Sequence, residues 1–242
     1  MEIDAAAPSG STHGLKDEDL FRAAERGDLS VFQSLSEEEL LRVQSLRNED
    51  GRSLLHVAVA LGHTNVLSIL STVASACVNS VDEEGWAPLH SAASRGDVAA
   101  IEALLSFGGN VNLANHGGRT ALHYAASKGW LQVAELLLSH GAKINHKDKV
   151  GSTPLHRAAS VGHAQLCELL IEEGAEVDAV DRAGQTPLMS AVICHNKEVA
   201  LLLIRHGADV DAEDKEGYTV LGRAPDDMRL ALVDAAKAMC DG

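Results

Sequence analysis

TPLHRAAS, residues 153–160, has near copies in APLHSAAS at 87–94 and ALHYAAS at 121–127. The histidines His56, His90, His123 and His156 fall 34, 33 and 33 residues apart. The leucine before each of them continues the beat at Leu188 and Leu221, where the histidine itself gives way to Met189 and Gly222. A glycine keeps the same interval at Gly51, Gly85, Gly118, Gly151, Gly184 and Gly217. A catalytic group is needed once per site, whereas a residue that serves each repeat's own geometry is needed once per repeat. The interval is therefore structural, and the histidine belongs to the scaffold.

A period of about 33 residues carrying T-P-L-H-x-A is the signature of ankyrin repeats, and the chain resembles that family from about residue 15 onward. The resemblance implies an all-α solenoid of about seven helix-turn-helix units with β-hairpin fingers. The units fall at 15–47, 48–81, 82–114, 115–147, 148–180, 181–213 and 214–242, the first and last serving as caps. Residues 1–14, rich in Ala, Ser, Gly and Pro, are expected to form a disordered tail.

Residues 148–180 supply the model unit. Asp148 and Gly151 carry turn chemistry, and Thr153 followed by Pro154 reads as an N-cap with proline at N1, so a first helix begins there. Ala158 and Ala159 keep that helix thin, and Gly162 ends it. Leu166, Leu169 and Leu170 then hold i, i+3, i+4 spacing on one face of a second helix, with Cys167 beside them in the core. Gly174 stops this helix as a left-handed residue, and Val177 begins an extended arm to the next finger. A unit with apolar faces on both sides must stack to bury them.

Composition narrows the function. Thirty-five acidic against 20 basic residues give a net charge of −15, which disfavours nucleic acid and anionic membranes as partners and points to a protein. Aromatic residues make up 3% of the chain, suited to thin Ala and Leu layers. No apolar run approaches the roughly 18 residues of a membrane span, and the N-terminus lacks a basic start and an apolar core segment. Cys77, Cys167, Cys194 and Cys240 are scattered without C-x-x-C pairing, which fits a reducing compartment. A monomer in cytoplasm and nucleus is expected.

Dinucleotide, P-loop, zinc-protease and serine-hydrolase motifs are absent from the sequence, and neither enzyme activity, cofactor nor metal is expected. Zinc needs three or four ligands within about 2.0–2.3 Å. Equivalent histidines in stacked layers stand about 10 Å apart, the spacing of packed helices. His63 and His163, directly after Gly62 and Gly162, are read as opening the second helices. The acidic DEE at 82–84 is read as a solvated finger.

Function then falls to exposed variable positions on the finger tips and the outward side of the first helix, the concave face of an ankyrin stack. These are Arg52, Glu83, Glu84, Trp86, Arg95, Arg119, Tyr124, Lys128, Lys149, Arg157 and Arg182. Charged and aromatic types dominate them, as in interface hot spots, and the recurrence of basic residues in an acidic chain fits an acidic or mixed-charge protein patch. Trp86 has two readings, packing on the neighbouring finger or anchoring a partner.

DEEGWAPLHSAASRGD at 82–97, followed by GGRTALHYAASKG at 117–129, also resembles the gankyrin family of proteasome regulatory-particle assembly chaperones. That resemblance implies a non-enzymatic protein whose concave face clasps the C-terminal domain of a proteasome base ATPase subunit. Arg52, Lys128 and Trp86 match contact positions of the family. The L-x-C-x-E motif of its animal members is absent, the segment 188–196 reading LMSAVICHN, so binding of retinoblastoma-type proteins is not implied. Trp130 replaces the polar residue usual after Gly129. Two further readings stay open: an ankyrin signalling adaptor or kinase-inhibitor-like scaffold, and a metal-dependent enzyme using the histidines.

Overall fold

Each repeat folds where its punctuation dictates. The computed structural model describes residues 16–72 and 77–240, and the expected tail at 1–14 lies outside the described residues. Unit one holds α1 (Asp17–Arg26), α2 (Leu29–Gln33) and α3 (Glu37–Val43). Pairs then follow: α4 (Leu54–Leu61) with α5 (Thr64–Thr72), α6 (Pro88–Arg95) with α7 (Val98–Ser106), and α8 (Ala121–Lys128) with α9 (Leu131–Ser139). The next two are α10 (Pro154–Val161) with α11 (Ala164–Glu172) and α12 (Pro187–Ile193) with α13 (Lys197–Arg205). The last unit has the one-turn α14 (Val220–Arg223) and the long α15 (Asp226–Cys240).

Thr153 caps α10 as its sequence requires, its hydroxyl accepting from the His156 N–H with Pro154 at N1. The acidic run 37–39 of unit one becomes the first turn of α3, closed by a capping box between Ser36 and Glu39, where carboxylates meet the positive end of the helix dipole.

First helices pack on first helices and second on second, α4–α6–α8–α10–α12 forming one row and α5–α7–α9–α11–α13–α15 the other. The alanine pairs explain how close the first row comes: Ala92, Ala93, Ala125, Ala126, Ala158 and Ala159 are each 0% exposed. Leu122, Leu155 and Leu188 fill the space between layers, and Cys167 lies in the same core at 0% exposure, its thiol pushed up to about 12 by burial.

The fingers are tighter than full β-hairpins. Among the described residues the isolated β-bridge is Glu213 to Thr219; elsewhere a finger is a single turn, as where the Asp148 N–H donates to the Ser152 carbonyl at 3.0 Å and the Gly151 N–H to that of Asp148 at 2.9 Å. So short a turn leaves few groups for a ladder within the finger. Its tip bonds the next finger instead: Lys149 N–H to Gly117 O (2.9 Å), Arg182 N–H to Val150 O (3.0 Å) and Lys215 N–H to Ala183 O (2.9 Å). Val177, expected to begin an extended arm, sits in a turn.

The turn between paired helices shows why glycine recurs there. Gly129 has φ 73°, and a Cβ on it would lie 2.6 Å from the His163 ring of the next layer. Unit six breaks the pattern with His195 at φ 61°. The residue in register with His163 and Asn196 one unit on is Arg229, which turns instead to Leu221 O at 3.2 Å and Asp226 at 2.7 Å. Backbone conformation still disfavours a side chain at 195, since a left-handed residue costs about 1–2 kcal/mol without glycine. Gly129→Ala is expected to lower stability by about 2 kcal/mol or more, whereas His195→Gly leaves it unchanged or raises it by up to about 1 kcal/mol after glycine's greater unfolded-state entropy is subtracted. Urea denaturation midpoints of the two variants check both signs.

Candidate functional site

The finger begins with Asn or Asp in every unit from the second onward, and its Oδ1 accepts two tip N–H groups. Asp148 accepts from Val150 and Ser152 at 3.0 Å each, Asp82 from Glu84 and Trp86, and Asn115 from Gly117 and Arg119. In three units the second side-chain atom meets the residue nine positions on. Asp148 is met by Arg157, and Asp214 by Arg223, whose Nε is 2.7 Å from Oδ2. Asn115 offers a donor instead, and its Nδ2–H reaches the Tyr124 hydroxyl at 2.7 Å.

Arginines on neighbouring fingers add to these pairs. Arg52 Nε donates to Oδ2 of Asp82 at 3.3 Å, and Arg119 lies 3.6 Å from Asp148. Burial pushes the Asp148 carboxyl up, but the Arg157 hydrogen bond and charge, with the Ser152 and Val150 N–H groups, outweigh it and hold the group below its ordinary value.

Both ring nitrogens of the repeated histidine are occupied. His156 Nδ1 accepts from the Thr153 N–H at 3.2 Å and faces its hydroxyl at 2.9 Å, while Nε2–H donates to the Gln185 carbonyl of the next finger at 3.0 Å. His123 reaches Ser152 O (3.1 Å), His56 reaches Trp86 O (2.8 Å), and His90 reaches both Leu113 O and Arg119 O. All four rings are 1–2% exposed. Burial lowers their basicity against the pull of these carbonyls, in His123 to about 4, and the others move the same way. A neutral ring in this tautomer is a clip between layers.

Two further columns escaped sequence reading. In four units the residue after the left-handed inter-helix turn, glycine in three of them and His195 in the fourth, reaches back to carbonyls at the end of the preceding first helix. His63 bonds Glu25 O (2.9 Å), Trp130 Nε1 bonds Ser94 O (3.2 Å), His163 bonds Ser127 O (3.4 Å), and Asn196 bonds Ala159 O and Ser160 O (2.9 Å each). Trp130 thus does the work of the polar residue it replaces. In unit three Asp97 caps its own helix, and Arg95 Nη1 covers Ala60 O at 3.0 Å instead. The second column is Asn79, Asn112 and Asn145, whose Nδ2–H groups bond Gly108 O, Gly141 O and Gly174 O while each Oδ1 accepts an N–H from the same loop. Their 33-residue spacing was the available signal.

Against this frame the eleven candidate contacts divide. Arg52, Arg119 and Arg157 hold buried carboxylates, and Arg95 closes a helix end. Trp86 and Tyr124 stack on each other at 4.4 Å between ring centroids, joining units three and four, so the packing reading of Trp86 accounts for its position. Glu83, Glu84, Lys149 and Arg182 are exposed at finger tips, and Lys128 is exposed at the end of α8. Among the described residues these five side chains have neither an ion pair nor a side-chain hydrogen bond.

The molecule is a repeat solenoid whose regular positions are spent on cohesion and whose irregular ones face outward, a protein-interaction scaffold of a generally non-enzymatic kind. The family described as Ankyrin repeats (3 copies) matches residues 20–115, 74–148 and 145–214, and the chain belongs to it. The chain is 38% identical over 97 residues to 26S proteasome non-ATPase regulatory subunit 10 of Dictyostelium discoideum, covering 40% of this chain and 41% of the relative. It is 39% identical over 89 residues to the RelA-associated inhibitor of Mus musculus, covering 37% of this chain and 10% of that one. In both cases it matches less than half of the relative's length. The ankyrin repeat domain of human ASB11 superposes with a TM-score of 0.75 at 28% identity, over 89% of this chain and 96% of that one.

The neutral histidines make stability acid-sensitive. Their folded values lie below the ordinary 6.5, so the unfolded chain binds protons first as pH falls. Their contribution is full above about pH 6.5 and is lost progressively as pH falls below it, for His123 down to about pH 4. His156→Ala should cost about 1–3 kcal/mol at pH 7.5 and reduce the protons taken up on unfolding below pH 6.5. Urea midpoints measured against pH read both.

Proposed function

We propose that the chain is an assembly chaperone for the proteasome regulatory particle, a monomer of cytoplasm and nucleus whose concave finger face binds the C-terminal domain of a base ATPase subunit. The observation that carries this reading is the 38% identity to proteasome non-ATPase regulatory subunit 10, together with the paired stretches DEEGWAPLHSAASRGD and GGRTALHYAASKG. Lys128, exposed at the end of α8 and untied to any neighbour among the described residues, supports this reading as a free charge for that interface. Arg52 has a second duty, since its guanidinium also neutralises Asp82. Reversing Arg52 would therefore set two carboxylates together and confuse loss of fold with loss of binding.

Similarity to the RelA-associated inhibitor favours a signalling adaptor as the second reading. Calorimetry with isolated base ATPase C-terminal domains at low salt separates the two. Lys128→Glu is expected to weaken binding by about tenfold or more, the scale of like-charge opposition at an interface, with thermal stability within about 0.5 kcal/mol of the parent. Glu168→Lys, on the exposed side of α11, should leave affinity unchanged. If every base ATPase domain fails to bind, the chaperone assignment falls and the adaptor reading replaces it.

A further inference from the structure

The two residues after each finger's Asn or Asp form a row of tips, and the charge along that row changes sign. Unit two presents Glu49 and Asp50, unit three Glu83 and Glu84, and unit four His116 and Gly117. Unit five presents Lys149 and Val150, unit six Arg182 and Ala183, and unit seven Lys215 and Glu216. The arginines that would blur this division are drawn to carboxylates within the frame: Arg52 to Asp82, Arg119 and Arg157 to Asp148, and Arg223 to Asp214. Glu216 also pairs with Arg223 at 2.7 Å, sharing that guanidinium with Asp214. Lys149, Arg182 and Lys215 are left exposed on three successive layers with neither an ion pair nor a side-chain hydrogen bond among the described residues.

Three adjacent unpaired cations stand out in a chain of net charge −15. Layers stacked about 10 Å apart place their charges at intervals that match every third residue of a polyproline-II peptide, which rises about 3.1 Å per residue and returns every third side chain to the same face. Val150, 53% exposed beside Lys149, adds an apolar contact. The nearest acidic tip lies two layers away, roughly 20 Å, beyond the Debye length of about 8–10 Å at physiological salt. The two ends therefore act on a bound segment independently.

We propose that the tips of units five to seven dock an extended, polyproline-II-like acidic segment of a protein partner, with carboxylates three residues apart, while the tips of units two and three accept the partner's basic flank. This rests on the finger face being the docking surface proposed above, and it fixes which way the partner lies along the solenoid.

The test uses the full chain, isotope-labelled for amide NMR, and a capped Glu-Gly-Ser-Glu-Gly-Ser-Glu peptide at low salt. Shifts are expected to concentrate at the amides of 149–150, 182–183 and 215–216. Lys149→Glu with Arg182→Glu should weaken this peptide at least about tenfold with an unchanged thermal midpoint, and Glu83→Lys with Glu84→Lys should leave its affinity at these tips within about twofold. Shifts spread over the surface or centred elsewhere, or tight binding retained by the Lys149 and Arg182 double variant, would overturn the proposal. If the peptide maps as expected while base ATPase domains do not bind, the polarity stands and only the chaperone assignment is lost.

Discussion

Every boundary between layers buries backbone groups that neither layer satisfies alone, and that constraint shapes the whole solenoid. Carbonyls at the end of a first helix, the N–H groups at a finger tip and the loop before the next finger all face a neighbour across a thin alanine interface. Left unpaired, each would cost about 1–3 kcal/mol. Three columns of side chains meet the demand across layers, the histidine of the first helix, the residue after the inter-helix turn and the asparagine after the second helix, while the Asn or Asp that opens each finger ties the N–H groups of its own tip. Stacking follows from burial, but register follows from these polar columns.

The columns tolerate different chemistry provided the bond survives. After the inter-helix turn, histidine, tryptophan and asparagine all deliver an N–H to the same carbonyls. At the finger, Asp148 calls for Arg157, whereas Asn115 calls for a hydroxyl and finds Tyr124. These are compensating choices within one chain: the hydroxyl of Tyr124 answers Asn115 where Arg157 answers Asp148. The aromatic ring of Tyr124 also offers a flat face to Trp86 of the preceding finger, which packs the two units together.

Helix starts and stops were legible because they depend on local chemistry: Thr153 with Pro154, Gly162 and Gly174 act within a few residues of themselves. The histidine's structural role was legible from its period. The partners of Arg52, Arg119 and Arg157 were not, because the ion pairs cross from one finger to the next or from a finger to its own helix, and sequence spacing alone does not tell a guanidinium in solvent from one held against a buried carboxylate. The asparagine column was periodic yet overlooked, since Asn79, Asn112 and Asn145 lie in loops where asparagine is ordinary turn chemistry. Periodicity was the better guide there than residue type.

Function on such a scaffold is read by subtraction. A residue that recurs with the repeat is answerable to the neighbouring layer, so a contact with a partner must come from positions where the repeats differ and the side chain has no internal duty. Charge counting over the whole face mixes the two kinds, because Arg52, Arg119 and Arg157 contribute to the basic character seen in sequence while spending it on Asp82 and Asp148. Once these are removed, what had looked like basic residues scattered over an acidic molecule becomes an ordered row, acidic at units two and three and basic at units five to seven. An ordered row distinguishes the two directions in which a partner can lie, whereas a uniform basic face would attract acidic segments in either orientation. The internal ion pairs therefore shape recognition without touching a partner: by engaging Asp82, Asp148 and Asp214 they take four arginines out of the field that the finger tips present.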